Sequence, residues 1–470
     1  MTMIFDSVRP HLRGLKLNRE NKRETLRLPA AALAKSKLIG YSLSDQGLAI
    51  GGGFLANIAL ARTQTKDVYG IFALNYSVFS FLLGLYYAAI LEPFTVYGAG
   101  RYKDRIANYI RLMLRFNAIF CCALGGLMLT ACLVLSWAAP RWASGSAWGL
   151  AIASGMLLSG YLLRRLFYVL RQPLLAAKSS LVFFIFLVAE LWFLLQIHRV
   201  NGFSTFLAMA VAWIAAWAVY GSKLPASKST ETFIETEPQY WKIHWTYSRW
   251  AFATAFVFQF TQQGYYWLIG AFLSPADVAN LRAMYLLVGP VEQVFIALSY
   301  LIVPALAAHY AAGQMAKFLS LWKIYVVAVL TGSAIYALGT RLIGKTVVHI
   351  LYAGKYDGVG TYLFVLTFVP MILWLGATMS QALNAVERPE FQFWAYVCGG
   401  ATTLIIGIPL VVHFGLWGAV YGMLVSGAAF TLALAASFVV SVRRISLRLK
   451  LAVTPSSAIH SVATPSTLLS

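Results

Sequence analysis

Runs of about 20 apolar residues follow one another along this chain. Each is long enough to cross a hydrocarbon core of roughly 30 Å as a helix that closes its own backbone hydrogen bonds. The runs fall at 38–61, 68–91, 112–137, 147–169, 174–197, 203–221, 247–272, 282–307, 320–340, 359–384, 391–413 and 415–440, twelve in all. Composition agrees, with 60% hydrophobic residues, 11% charged residues and a mean hydropathy of +0.71, where soluble domains carry about 25% charged residues. The sequence therefore predicts an all-α polytopic membrane protein and excludes a soluble fold.

Lys and Arg number 37 against 16 acidic residues. In a soluble chain such a balance suggests nucleic acid; between apolar spans it reports orientation, so no nucleic-acid partner is expected. With the N-terminus inside, 29 of the cations lie on the cytoplasmic side. Eight lie on the other: Arg62, Lys66, Arg141, Arg199, Arg282, Arg341, Lys345 and Lys355. This bias places both termini in the cytoplasm. Residues 1–37 carry nine cations and no apolar core, so they read as a basic cytoplasmic segment rather than a cleaved signal peptide.

The longest internal connection, KLPASKSTETFIETEPQYWK from Lys223, falls midway between six spans and six more. It divides the chain into a first six-helix bundle over 38–222, a cytoplasmic linker over 223–246 and a second bundle over 247–442. A basic and then disordered tail over 443–470 completes the chain. A weak repeat supports the halves: ARTQTKDV at 61–68 and AFLSPADV at 271–278 share Ala, Asp and Val in register. Parallel halves of this kind recur in secondary transporters.

Ionisable groups inside apolar spans are costly, so each should face the bundle interior or a water-filled cavity. Arg164 and Arg165 sit side by side in GYLLRRLFYVLRQP and point about 100° apart on a helix. Two readings stand: anchors at the inner interface, or cavity cations that take an anionic group through the planar guanidinium fork. Arg249 joins them as a candidate cation. Asp45, Glu190 and Glu292 are candidate acids. Glu190, in LVFFIFLVAELWFLLQ, reads either as a helix clamp paired with an arginine of the fourth span or as a coupling site for a proton or cation. Asn57, Gln259, Gln262 and Gln263 offer amides near mid-span and read either as interhelical hydrogen bonds or as glycan contacts.

No catalytic constellation emerges. The seven histidines are scattered, and Cys121, Cys122, Cys132 and Cys398 lie in apolar runs without ligand spacing, so no metal and no cofactor is expected. The external loops are too short to build the acidic site of a membrane glycosyltransferase or polymerase.

Several stretches carry a resemblance. VYGIFALNYSVFSFLLG, LEPFTVYG and LLRRLFYVLRQPLLA, then IGAFLSPADVANLRAMYLLVGPVEQVF, then LNAVERPEFQFWAYV with the Gly-x-x-Gly-Ala turn at Gly415, Gly418 and Ala419 are together similar to a known group. They resemble bacterial polysaccharide exporters of the multidrug, oligosaccharidyl-lipid and polysaccharide (MOP) transporter superfamily. The resemblance covers roughly 38–440. It implies two six-helix bundles forming a V around a cationic central cavity, and alternating access in a bacterial inner membrane. It also implies translocation of a lipid-linked glycan, carried on undecaprenyl pyrophosphate, from the inner to the outer leaflet. Expected partners are the lipid-linked glycan, membrane lipids and other polysaccharide assembly proteins. The rival readings are a cation-coupled drug antiporter of the same superfamily, whose cavity should hold more carboxylates than arginines, a membrane glycosyltransferase or polymerase, and a non-transporting scaffold.

Overall fold

The computed structural model describes residues 21–138, 144–225, 237–388 and 390–453, and among these the chain is helical with no strand. The helices are α1 (Asn21–Thr63), α2 (Lys66–Tyr86), α3 (Glu92–Ala99), α4 (Ile106–Ala138), α5 (Gly145–Val169), α6 (Pro173–Gln196) and α7 (Gly202–Tyr220). The series continues with α8 (Glu237–Phe272), α9 (Pro275–Ala311), α10 (Met315–Tyr352), α11 (Gly360–Leu366), α12 (Phe368–Ala385), α13 (Glu390–Thr402) and α14 (Ile408–Val453). Nine segments among the described residues are long and apolar enough to cross a membrane. Neither α1 nor α8 is among them. Their middles carry Asp45, Gln46 and Asn57 in one, and Gln259, Gln262 and Gln263 in the other.

One of the nine, Glu390–Arg444, has 55 residues, which as a straight helix would be about 80 Å long. It is folded back on itself. Gly415 has φ 59° and ψ −135°, a conformation open to glycine but not to residues with a Cβ. A Cβ on Gly418 would lie 1.8 Å from the Leu410 carbonyl oxygen, whereas eight residues of continuous helix separate such groups by about 12 Å. The turn read from Gly415, Gly418 and Ala419 is thus a hairpin between two antiparallel passes. With those two arms counted apart and α1 and α8 added, the described residues hold twelve long helical segments.

Prolines shape three of the passes. Pro93 lacks an N–H for the Ala89 carbonyl four residues back, and the helix widens there into a π segment over Tyr87–Leu91. The freed carbonyl is not left bare, because the Ser248 hydroxyl of α8 donates to it at 3.2 Å. A second π segment, Thr403–Gly407, precedes Pro409. In α9, Tyr336 of α10 donates to the Leu287 carbonyl in the turn that Pro290 opens.

Buried polar side chains tie neighbouring passes together, as they must where no water is available. Tyr86 donates to Asn117 at 2.6 Å, Asn117 to Ser159 at 2.9 Å and Trp217 to the Ser159 carbonyl at 3.2 Å, linking α2, α4, α5 and α7. Tyr265 meets Ser426 at 2.8 Å and Thr403 donates to Ser426 at 3.0 Å, binding α8 to the last two passes. Helices pair closely within 21–220 and within 237–453, and the two groups meet along α2, which lies against both α8 and α9. Gly70 allows the closest approach: a Cβ there would be 1.7 Å from the Pro275 carbonyl oxygen.

Two boundaries differ from the hydropathy reading. The basic segment expected over 1–37 is helical from Asn21, continuous with the first span, and residues 1–20 lie outside the described residues. The linker expected over 223–246 gives way to α8 at Glu237, with 226–236 outside the described residues. Both extensions are polar helix, which hydropathy does not register. Likewise α14 runs through the basic stretch to Val453, and the tail from 454 lies outside the described residues.

Replacing Gly415 with alanine is expected to destabilise the hairpin by about 1–3 kcal/mol, the cost of a side chain in a backbone region reserved for glycine. A lowered thermal midpoint in detergent would show it, with Gly339→Ala, within α10 at an ordinary φ and with open space around its Cβ, as the comparison. An unchanged midpoint for Gly415→Ala would contradict the reversal.

Candidate functional site

A cavity of about 480 Å³ lies between α1, α2, α5, α6, α7 and α9. Its polar lining is Gln46 and Asn57 from α1, Tyr76 from α2, Tyr161 from α5, and Arg282, Tyr285 and Gln293 from α9. Among the described residues Arg282 is the one charged group in that lining. Its Nε donates to Asn57 Oδ1 at 3.2 Å, and its guanidinium carbon stands 4.5 Å from the Tyr76 ring centroid and 5.9 Å from that of Tyr266. No carboxylate of a described residue is within ion-pair distance of it. A guanidinium held by aromatic faces and one amide retains donors for an anion, and the rings supply part of the attraction lost on leaving water.

The cavity is closed at the end where α1 turns into α2. Tyr69 donates to the same Asn57 Oδ1 at 3.3 Å, and its ring meets Tyr356 edge-on at 6.4 Å. Lys66 sits 5.1 Å over Tyr356, and Lys355 donates to the Gln64 carbonyl at 3.1 Å. Trp267 of α8 donates to Ser77 of α2 at 2.8 Å in the next layer. Along α1 the lining then opens: Asn57 is 1% exposed, Ile50 47% and Leu43 52%. Access is from the opposite end.

The arginine pair divides its work. Arg164, expected as a cavity cation, instead forms a two-point ion pair with Asp45, Nε to Oδ1 and Nη2 to Oδ2, both 2.8 Å. Tyr168 adds a bond to Oδ2 at 2.8 Å and Ser180 one to Oδ1 at 2.5 Å. The Asp45 side chain is fully buried and that of Arg164 is 12% exposed, so this is a structural clamp joining α1, α5 and α6. Its acid is Asp45, where Glu190 was a candidate. Arg165 turns the other way and lies 5.5 Å over the Tyr87 ring.

The remaining candidates separate. Asn57 reaches the first cavity, but its amide is engaged by Gly53, Tyr69 and Arg282. Glu190 lines neither this cavity nor the next, and its Oε2 is buried with no hydrogen-bond partner. Glu292 stands behind the cavity wall and accepts from Tyr285 at 3.2 Å. Arg249 is exposed and lines neither this cavity nor the next. Gln259, Gln262 and Gln263 do converge, on a second cavity of about 740 Å³ between α2, α8 and α13. Among the described residues no three His, Cys, Asp or Glu side chains gather as a metal site would need.

Sequence reading missed Arg282. It sits two turns into α9 after Pro275, so hydropathy counted it with the loop charges; the signal that could have found it is its helical phase, seven residues after Pro275 and ten before Glu292.

The fold is like that of solved structures of multidrug and lipid-flippase membrane transporters. Three solved structures carry the likeness. An inward-facing multidrug resistance MATE family transporter superposes with a TM-score of 0.74 at 12% identity, over 86% of this chain and 96% of that one. The lipid II flippase MurJ in an inward closed conformation gives 0.66 at 12% identity, over 88% and 91%. A MOP superfamily transporter from Pyrococcus furiosus, its binding pocket described as reversed in polarity, gives 0.58 at 12% identity, over 87% and 96%. No family model matches the sequence, and no curated protein matches it.

The two arginines should fail differently. Arg164→Ala leaves Asp45 buried and uncompensated, a loss of about 3–5 kcal/mol, so the melting point and the yield of folded protein should fall. Arg282→Ala should melt near the wild type but lose the rise in melting point that inorganic pyrophosphate gives the wild type. Equal pyrophosphate stabilisation in both proteins would remove Arg282 from any anion site.

Proposed function

We propose that this protein is an alternating-access exporter that flips a lipid-linked oligosaccharide across a bacterial cytoplasmic membrane, with Arg282 taking the anionic phosphate linkage. The observation that carries this reading is the cation itself: one arginine, free of carboxylates, in the cavity between the two helical groups. A drug antiporter that exchanges organic cations calls for carboxylates at this place, and the lining contains none. Asp45, the nearest acid on α1, is occupied by Arg164, Tyr168 and Ser180.

Physics gives the arrangement its use. A glycan cannot cross hydrocarbon bare, because each unpaired hydroxyl costs several kcal/mol to desolvate. A polar groove shields it while the lipid tail stays outside, and a guanidinium matches phosphate oxygens two at a time. In this reading the basic termini are cytoplasmic, the Tyr69–Tyr356 end faces outward, and the cavity accepts substrate from inside. Outward movement of an anion gains about 2.3 kcal/mol per charge per 100 mV, so the membrane potential can drive the step without a coupling acid. No bond is made or broken, and no catalytic residue is assigned.

The test uses proteoliposomes holding undecaprenyl pyrophosphate-linked oligosaccharide in both leaflets and an externally added glycan-cleaving enzyme. Wild-type protein should make the inner-leaflet pool accessible with its mass unchanged until cleaved. Arg282→Ala should slow this at least tenfold, and Arg282→Lys should restore part of it. A changed mass before cleavage would indicate transferase chemistry, and an inaccessible pool with folded wild-type protein would leave the scaffold reading.

A further inference from the structure

The second cavity has a different chemistry. Its polar groups are Ser80, Tyr87, Glu92, Thr254, Gln392 and Tyr396 together with Gln259, Gln262 and Gln263. None of the last three amides makes a hydrogen bond to another described residue, and Gln263 Oε1 is buried with no partner. Gln263 Oε1, the one buried atom among them left unpaired, costs about 1–3 kcal/mol, and the half-buried amides of Gln259 and Gln262 face the cavity. Something that both donates and accepts belongs among them. The volume lies within the roughly 300–1,000 Å³ of ordinary ligand pockets, and the place is built for these side chains. A Cβ on Gly84 of α2 would fall 2.1 Å from Gln259 Nε2, so only glycine leaves that amide its room.

Charge narrows the class of occupant. No cation is in the lining, and the one carboxylate is Glu92, exposed at the mouth. Arg165, over Tyr87, offsets part of the Glu92 charge, and a hydroxyl can donate to Glu92 and exchange hydrogen bonds with the amides in either sense. Tilted rings of Phe258 and Tyr396, 5.0 Å apart, offer an apolar wall of the kind a sugar face covers.

The two cavities adjoin. Tyr161 lines the first and Tyr87 the second, and their rings meet edge-on at 6.0 Å. Arg164 stands 5.8 Å over Tyr161 and Arg165 5.5 Å over Tyr87. On α2, Phe79 belongs to one lining and Ser80 to the other. We infer that the cleft between α2, α8 and α13 is a subsite for an uncharged stretch of glycan. One substrate is thereby held at two points, by its phosphate linkage on Arg282 and by neutral sugars on Gln259, Gln262 and Gln263. This inference rests on the flippase reading above.

The experiment compares three carrier lipids in proteoliposomes: undecaprenyl pyrophosphate bearing one N-acetylhexosamine, a neutral tetrasaccharide, or a tetrasaccharide containing a uronic acid. For the Gln259→Leu/Gln263→Leu protein, the ratio of neutral-tetrasaccharide to single-sugar translocation should fall at least tenfold. The single-sugar carrier serves as the internal check on folding. Glu92→Gln should raise the ratio of acidic to neutral tetrasaccharide translocation at least threefold. Unchanged ratios in both variants, or a loss in the double variant that is equal for one sugar and four, would overturn the subsite. Failure of the flippase reading looks different, since wild-type protein would then move none of the three.

Discussion

The carboxylate of Asp45 accepts four hydrogen bonds, two from Arg164 and one each from Tyr168 and Ser180, and the geometry of the first cavity follows from that saturation. A charge with no water around it must be met by the protein. Meeting it from α5 and α6 fixes the position and rotation of α1. With Asp45 turned toward its partners, Gln46 beside it and Asn57 three turns further along face the cavity. Helix α1 is polar enough to fall outside the membrane-spanning class by composition, and the same is true of α8. These two helices provide the polar walls, and the apolar helices around them supply the seal.

Arg282 is connected to the closed end through one atom. Asn57 Oδ1 accepts from both Arg282 and Tyr69, and Tyr69 meets edge-on Tyr356, which in turn lies under Lys66 and beside Tyr352 at 5.0 Å. A ligand that draws the guanidinium away from Asn57 alters the hydrogen bonding of the residue that seals the other end. Site and seal therefore share a contiguous physical network, the minimum that coupling between them requires.

Much of the architecture was legible because hydrocarbon leaves few choices: an apolar run of the right length is a pass, and glycines at 415 and 418 mark a tight turn between two of them. The early starts at Asn21 and Glu237 were not legible, since polar residues continue a helix without leaving a hydropathy signal. Pairing was harder. Asp45 and Arg164 are 119 positions apart, and nothing in composition chooses Asp45 over Glu190 as the partner. Arg282 was hidden by its proximity to a loop, where a charge ordinarily serves orientation. The amides of α8 were found by type, but their convergence with Gln392 depends on how α13 packs. In a membrane bundle both faces of a helix are apolar, so the periodicity that identifies the inner face of a soluble helix is weak.

At Gly70, α2 and α9 touch with no room for a methyl group. In energetic terms this contact acts as a weight on a balance, since it can form only in an arrangement that brings these two helix ends together. A side chain introduced there leaves the separated arrangement untouched and penalises the joined one. Each 1.4 kcal/mol of such a penalty moves the relative occupancy of the two arrangements by about tenfold. Under the alternating-access reading proposed above, the size of this one residue would therefore bias how the protein divides its time between its two orientations.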